Sequence, residues 1–185
     1  EDGWRVLAVD FDAEAPSLDV ILGATTTDLA ATVLGLRASD GEARPLNLGR
    51  TANRGEIALL PFRPNGPAFD FDAAALAYEL QGYALEAESL AKKLCEIAQN
   101  YDVTLIDHRT GLGSVVPALV NALPGPVIAC ARLDGQSRTG KSTVGALWSL
   151  ARSSPPGAIL SLAPPEETEE QFRIRTGSEA EDLLQ

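Results

Sequence analysis

The sequence predicts a three-layer α/β fold with a mainly parallel sheet and helices on both faces. Short β-branched runs alternate with longer amphipathic stretches, a pattern typical of βαβ units. Two of these runs, Arg5–Val9 and Val103–Ile106, end directly in the aspartates Asp10 and Asp107. Because parallel strands present their carboxyl ends at one edge of the sheet, where open α/β folds bind ligands, we expect a ligand site there.

Composition indicates one soluble domain, which we expect to span residues 1–185. The chain is 45% hydrophobic and 22% charged, which is ordinary for a globular protein with its own core. A formal net charge of −11 argues against a general affinity for nucleic acid or anionic lipid, because no excess of Lys and Arg is present to neutralise phosphates. The chain contains no methionine, so we expect it to be a piece of a longer protein.

The cellular compartment expected from the sequence is the cytoplasm. No apolar run approaches the ~20 residues that span a bilayer, and the first residues lack the basic and apolar regions of a signal peptide. Cys95 falls in a helical pattern and Cys130 in a strand, so both are interpreted as small apolar residues in a reducing compartment, not as a disulfide.

Five strands are expected, each an apolar or β-branched run bounded by turn residues. They are Arg5–Val9, Glu56–Leu60, Val103–Ile106, Pro126–Ala131 and Ala158–Leu162. The segment between Ala38 and Gly55 is rich in Gly, Asn, Asp and Arg and has no periodicity. We therefore expect an exposed loop there.

Three helices are expected between the strands. Glu86–Asn100 places its apolar residues on one face and should cover the sheet. Leu112–Ala122 and Gly140–Arg152 are the other two, and Pro117 should bend or restart the first of them.

The segment from Phe62 to Ala74 begins as a Pro/Gly-rich loop and then opens into a helix. Asp70 and Asp72 follow this turn and not a strand. We interpret both as residues that cap the start of the helix.

Asp10, Asp12 and Asp107 are the candidate site residues. Aspartates at strand ends often only accept loop hydrogen bonds or begin a helix, and this alternative stays open for Asp10 and Asp12. The second acid-ended strand favours a different interpretation, because carboxylates from two parallel strands are suited to holding a hydrated Mg²⁺ on a nucleotide. We therefore predict that the three carboxylates converge within reach of one hydrated cation.

Three segments in order resemble the MinD/ParA-type deviant Walker P-loop ATPases, in particular the branch with DLEAPGL-like and DSRTG-like motifs. They are VLAVDFDAEAPSLDVILG from Val6, LLPFR from Leu59 and YDVTLIDHRTGLGS from Tyr101. The resemblance covers Arg5 to about Leu162. It implies a P-loop NTPase-like fold, ATP and Mg²⁺ as cofactors, a homodimer, and recruitment of a protein partner whose identity the sequence does not give.

The resemblance also implies roles for individual residues. Asp10 would contact the hydrated Mg²⁺, and Asp12 would orient the attacking water. Asp107 would be the Walker B carboxylate and bind Mg²⁺ through a water. The turn that follows it would be switch II, in which Thr110 and Gly111 sense the γ-phosphate.

The phosphate-binding loop of the family, KGGVGK-like or KGGVGR-like, lies between a first strand and a first helix that would come before Glu1. We expect those elements to be missing from this chain. A second candidate is GQSRTGKS at Gly135–Ser142, which fits GxxxxGK[ST] between a predicted strand and a predicted helix. Its nucleotide-binding residues would be Gly135, Gly140, Lys141 and Ser142. The resemblance instead places this segment near the nucleotide base, so both alternatives stay open.

Two classes of function follow from the sequence. The first is a Mg²⁺-dependent ATPase whose nucleotide-bound form dimerises and recruits partners. The second is a non-catalytic interaction module that keeps the P-loop fold. A permuted NTPase that uses Lys141 is a further alternative, and the sequence does not distinguish ATP from GTP.

Overall fold

The computed structural model describes residues 3–13, 15–38, 43–50, 54–82, 84–108, 115–122, 125, 128–132, 149 and 157–161. The chain divides into two compact units, Glu1–Leu123 and Pro124–Gln185. The single domain expected over residues 1–185 stays a prediction.

The first unit contains a sheet of four strands: β1 (Arg5–Asp10), β2 (Leu46–Arg50), β3 (Glu56–Leu60) and β4 (Val103–Asp107). Their order in the sheet is β2-β3-β1-β4. β1 pairs in parallel with both β3 and β4, whereas β2 is antiparallel to β3. Strands β1, β3 and β4 coincide with predicted strands to within one residue at their ends. The mainly parallel sheet expected from the sequence is confirmed.

The described helices of this unit are α1 (Leu18–Ile21), α2 (Val33–Ala38), α3 (Asp70–Gly82), α4 (Ala84–Ala98) and α5 (Val115–Ala122). Helix α4 confirms the prediction for Glu86–Asn100. The predicted helix from Leu112 is described only as α5, because residues 112–114 lie outside the described residues. Pro117 is in the first turn of α5, where an amide without an intrahelical partner makes proline tolerable.

The start of α3 agrees with the sequence in part. Asp70 and Asp72 lie in its first turn, where negative charge is favourable beside the helix dipole. The Asp70 carboxylate forms an ion pair with Arg63 at 2.7 Å, so it connects the loop before the helix to the helix itself.

Strand β2 shows that the loop expected between Ala38 and Gly55 was wrong over residues 46–50. The pairing with β3 shifts register between Asn47 and Gly49, and the Asn47 Oδ1 accepts a hydrogen bond from the Gly49 amide at 2.8 Å. Gly49 has a φ of +118°, which favours glycine. The Gly and Asn that indicated a loop therefore lie at the register shift of a short edge strand.

One face of the sheet carries the core of the first unit. Leu7 and Val9 of β1 are fully buried and lie on the same face, because side chains alternate along a strand. Their register partners on β3 are Ala58 and Leu60. The helices contribute Val33, Leu34, Leu36, Ala73, Leu76, Ala87, Leu90, Ala91, Leu94, Ala118 and Leu119 to the same cluster. Full burial of one such Leu or Val stabilises the fold by about 1.5–3 kcal/mol.

The second unit is described mainly by two strands, β5 (Ile128–Arg132) and β6 (Gly157–Ser161), which pair in parallel. They correspond to the strands predicted at Pro126–Ala131 and Ala158–Leu162. The helix predicted at Gly140–Arg152 lies outside the described residues except for Ser149, which is helical. In the described part of the chain, no helix has the length and hydropathy that a membrane span requires.

Candidate functional site

Two carboxylates meet at the carboxyl edge of the first unit's sheet. Asp10 ends β1, Asp107 ends β4, and the two are register partners in the parallel pairing of these strands. Partners in adjacent strands share a face and lie about 5 Å apart. The Phe11 amide extends the pairing by donating to the Asp107 carbonyl at 2.8 Å. Asp10 and Asp107 therefore lie at one edge of the sheet, and the prediction that they and Asp12 reach one hydrated cation stays a prediction.

The Asp10 side chain is 1% exposed and is bonded to backbone amides of the following loop. Its Oδ1 accepts from the Asp12 amide at 3.1 Å, and its Oδ2 accepts from the amides of Ser17 at 2.8 Å and Leu18 at 3.0 Å. These three bonds fold residues 11–18 back over the end of β1. A carboxylate has about four acceptor positions, so about one remains.

The Asp10 carboxylate is in an unfavourable place for a negative charge. Burial raises its pKa above the ordinary value, the three amide bonds lower it, and the negative charge of Asp107 raises it further. The net shift is upward, because desolvation dominates. A cation at this edge would reduce both the desolvation cost and the repulsion between the two acids.

Asp12 lies two residues beyond the end of β1, inside the loop that Asp10 closes. Its Oδ1 accepts a hydrogen bond from the Ala15 amide at 3.1 Å, and the residue is half-buried. Both Asp10 and Asp12 therefore accept loop hydrogen bonds, as one of their two interpretations expects. Their metal and catalytic roles stay predictions, because accepting an amide does not prevent a carboxylate from contacting a cation.

A second polar cluster is centred on Asn65, which bonds to α1 and to the residues that follow it. The Asn65 side chain accepts from the Thr26 amide at 2.7 Å and donates to the Asp19 carboxylate at 3.0 Å. Its own amide donates to the Thr26 carbonyl at 2.7 Å. Asn65 thus ties α1 to the loop that follows β3. Sequence analysis missed this role, because the Asn-Gly pair at residues 65–66 signals a turn but not a contact 46 residues away.

Helix α1 exposes two of its three apolar side chains. Val20 is 77% exposed and Ile21 is 71% exposed, and α1 contains no buried residue. The turn is nevertheless held in place, because Asp10 satisfies its first amides and the Asp19 side chain binds Asn65. Val20 and Ile21 thus form a small exposed apolar group on a turn that is held in place.

The remaining predicted site residues are outside the described part of the chain. They are Thr110, Gly111, Gly135, Gly140, Lys141 and Ser142. Their roles stay predictions. Among the described residues, no group of three or more His, Cys, Asp or Glu side chains could hold a metal ion. Asp10 and Asp107 by themselves place two carboxylates at this edge of the sheet.

Comparison with known proteins gives matches among solved structures. No family model matches the sequence, and no curated protein matches it. Cobyrinic acid a,c-diamide synthase from Mycobacterium smegmatis superimposes with a TM-score of 0.66 at 23% identity, over 97% of this chain and 70% of that one. A plasmid partition protein from Borrelia burgdorferi gives a TM-score of 0.65 at 15% identity, over 92% and 72% of the two chains. The chain has the P-loop NTPase fold.

A third similar structure is the ATP complex of a substituted McdA from Cyanothece, with a TM-score of 0.63 at 19% identity, over 96% of this chain and 67% of that one. These neighbours belong to the MinD/ParA class of P-loop ATPases. Identities below 25% establish the shared fold. The fold implied by the resemblance of the three sequence segments is therefore confirmed.

Proposed function

We propose that this P-loop NTPase domain is the switch-bearing part of a Mg²⁺-dependent ATPase of the MinD/ParA type. The observation that carries the proposal is the register pairing of Asp10 with Asp107 at the carboxyl edge of parallel strands. Similar structures support it, since the Mycobacterium synthase has been solved with an ATP analog and magnesium and with ADP and magnesium. Asp10 and Asp107 both offer carboxylate oxygens, and these suit Mg²⁺ because it prefers hard oxygen ligands.

In the proposed reaction the protein supplies position and charge. Asp107 would hold a hydrated Mg²⁺, and the acceptor position that remains on Asp10 would offer the ion a second polar contact. When bound, Mg²⁺ neutralises phosphate charge. Asp12, carried on the loop beyond β1, orients the attacking water. Such positioning and charge neutralisation account for most of phosphoryl-transfer catalysis.

The test of this proposal is Asp107→Asn in the full-length protein. We expect Mg²⁺-dependent ATP turnover to fall by roughly 100-fold or more, because one charged contact in a water-excluded site contributes several kcal/mol to the transition state. Asp102→Asn is the matched control. Asp102 lies just before the other end of β4 and binds the Arg5 amide at 2.7 Å, so its loss should leave turnover within about twofold. Equal effects of the two substitutions would refute the proposal.

The location of the phosphate-binding loop can be tested at Lys141. If Gly135–Ser142 binds the phosphates, Lys141→Ala removes a charge-assisted contact and nucleotide affinity collapses. If it does not, the loss should cost under about 1 kcal/mol, as for a solvated lysine, and this is the result we expect. Arg138→Ala in the same segment is the control for a general loss of positive charge. Isothermal titration calorimetry with Mg²⁺ and ATP measures both variants.

Dimerisation and partner recruitment belong to the proposal, and the exposed apolar residues of α1 support them. Val20→Ser with Ile21→Ser should weaken nucleotide-dependent association measured by light scattering and leave turnover per monomer nearly unchanged. The same surface favours the second candidate, a non-catalytic interaction module. Turnover separates the two, because that module would associate without hydrolysing ATP.

A further inference from the structure

Asp10 and Asp107 occupy matching positions in the sheet, but their side chains have different surroundings. Asp10 is buried to 1% exposure and accepts three backbone amides, whereas Asp107 is exposed and meets the loop only through its backbone carbonyl. We propose that Asp10 is a positioning residue, whose carboxylate builds the loop Phe11–Leu18 and thereby fixes Asp12 at the strand edge. The part of this proposal that concerns turnover rests on the proposed ATPase function, and the part that concerns the loop does not.

The amides that Asp10 binds are ones that the loop cannot satisfy by itself. Leu18 begins α1 and Ser17 directly precedes it, and the first amides of a helix have no intrahelical acceptor. Ser17, the residue before α1, forms no side-chain capping bond. The Asp10 Oδ2 takes both amides, from a position seven and eight residues earlier in the chain. Asp10 therefore acts as the helix cap that Ser17 does not provide.

Helix α1 depends on this cap because it is short. It contains four residues, none of them fully buried, so helix propagation and packing contribute little to holding it in place. Its anchors are the Asp10 carboxylate at its beginning and the Asp19–Asn65 bond at its side.

Asp12 is fixed by the same arrangement. The Asp12 amide donates to the Asp10 Oδ1, and the Asp12 Oδ1 in turn accepts from the Ala15 amide. The Asp10 carboxylate thus holds the backbone in place at Asp12 and again at Ser17. A change at Asp10 would move Asp12 without altering it chemically.

Asp10→Asn is the discriminating variant, because it keeps the shape of the side chain and removes one acceptor atom. The amide oxygen can face either the Asp12 amide or the Ser17–Leu18 pair, and the NH₂ group then faces the other donor. In the nucleotide-free, full-length protein we expect exchange of at least one of these three amides to accelerate by roughly tenfold or more, measured by NMR. Asp107→Asn is the control and should leave all three unchanged. Unchanged exchange in Asp10→Asn would overturn the proposal.

A second measurement uses the unaltered protein and covers the case in which Asp10→Asn does not fold. Through-hydrogen-bond couplings should connect the Asp10 carboxyl carbon to the amide nitrogens of Ser17 and Leu18. Their absence, with couplings within β1 and β4 still detected, would overturn the proposal.

Turnover tests the consequence for Asp12. We expect Asp10→Asn to lower kcat with the KM for ATP changed by less than about twofold, because the loop would orient water and not bind the base. Combined with Asp12→Asn, it should lose less than the product of the two single losses, since positioning Asp12 has no effect once the Asp12 carboxylate is gone. Fully multiplicative losses would contradict the positioning role. If the unaltered protein hydrolyses no ATP, the proposed function fails, and amide exchange alone decides the role of Asp10.

Discussion

At the scale of single residues, the chain uses two aspartates of equal sequence context in different ways. Each ends an apolar strand; Asp10 is buried and accepts amides of the loop that follows it, whereas Asp107 is exposed. In the proposed roles, the buried acid positions a loop and the exposed acid beside it contacts the ligand. This division explains how a site can place a negative charge at 1% exposure without leaving its oxygens unsatisfied.

Tyr101 offers a residue-scale prediction on pH. Burial raises the pKa of its phenol, the positive charge of Arg5 lowers it, and the negative charge of Glu56 raises it, for a net upward shift. The folded chain therefore keeps this proton to higher pH than the unfolded chain, in which the phenol ionises near pH 10. As pH rises above about 10, the unfolded state releases the proton first, so stability falls through the folded pKa. Urea unfolding at pH 8–11 should show this loss for the unaltered chain and not for Tyr101→Phe.

The sequence predicted which residues form the candidate edge but not what their side chains bind. Asp10 and Asp107 follow apolar strands, and parallel pairing brings such strand ends together whatever the surrounding loops do. The acceptor role of Asp10 depends on amides seven and eight residues later, whose position follows from the loop's path in three dimensions. No spacing rule in the sequence encodes that path.

At the scale of elements, Asn65 joins two segments that carry the site and its exposed apolar turn. Asn65→Ala removes an acceptor for the Thr26 amide and a donor to Asp19. We expect it to lower the free energy of unfolding by about 1–3 kcal/mol, because Thr26 is buried and its amide would lose its partner. Proteolysis near α1 should also accelerate.

Asn47→Ala is the control for Asn65→Ala. It removes a single hydrogen bond to the Gly49 amide, within the exposed strand β2. Urea unfolding should show a change of under about 1 kcal/mol. A cost for Asn65→Ala no larger than that of the control would show that Asn65 does not join the two segments.

Elements with a strong apolar pattern were predicted correctly, whereas strand β2, whose sequence is typical of a loop, was not. Strands β1, β3 and β4 and helix α4 follow from runs of apolar residues that must be buried whatever their neighbours are. Strand β2 was missed because it is an edge strand, pairs on one side and contains a register shift at Gly49. Edge strands are stabilised by the neighbour they pair with, which a local pattern does not reveal.

At the scale of the whole molecule, the first unit's sheet has two unlike faces. Leu7, Val9 and Leu60 lie on the face that α2 to α5 cover, and all three are fully buried. The opposite face is mixed, because Leu59 is fully buried there whereas Leu105 is 57% exposed and Ile57 is 36% exposed. The helix-covered face is the more uniformly buried of the two, so more of the stability should come from that layer.

This arrangement predicts an order of hydrogen exchange across the sheet. β1 lies between β3 and β4 and bonds to both, so its amides open only when the whole unit unfolds, whereas β2 pairs on one side through an irregular ladder. We expect β1 amides to exchange at least about 100-fold more slowly than those of β2, measured by mass spectrometry on peptides that cover each strand. Opening of β2 alone breaks only its bonds to β3, which is why it should exchange first. Equal protection of the two strands would mean that β2 unfolds only together with the core, and the stability of the unit would then extend to its edge.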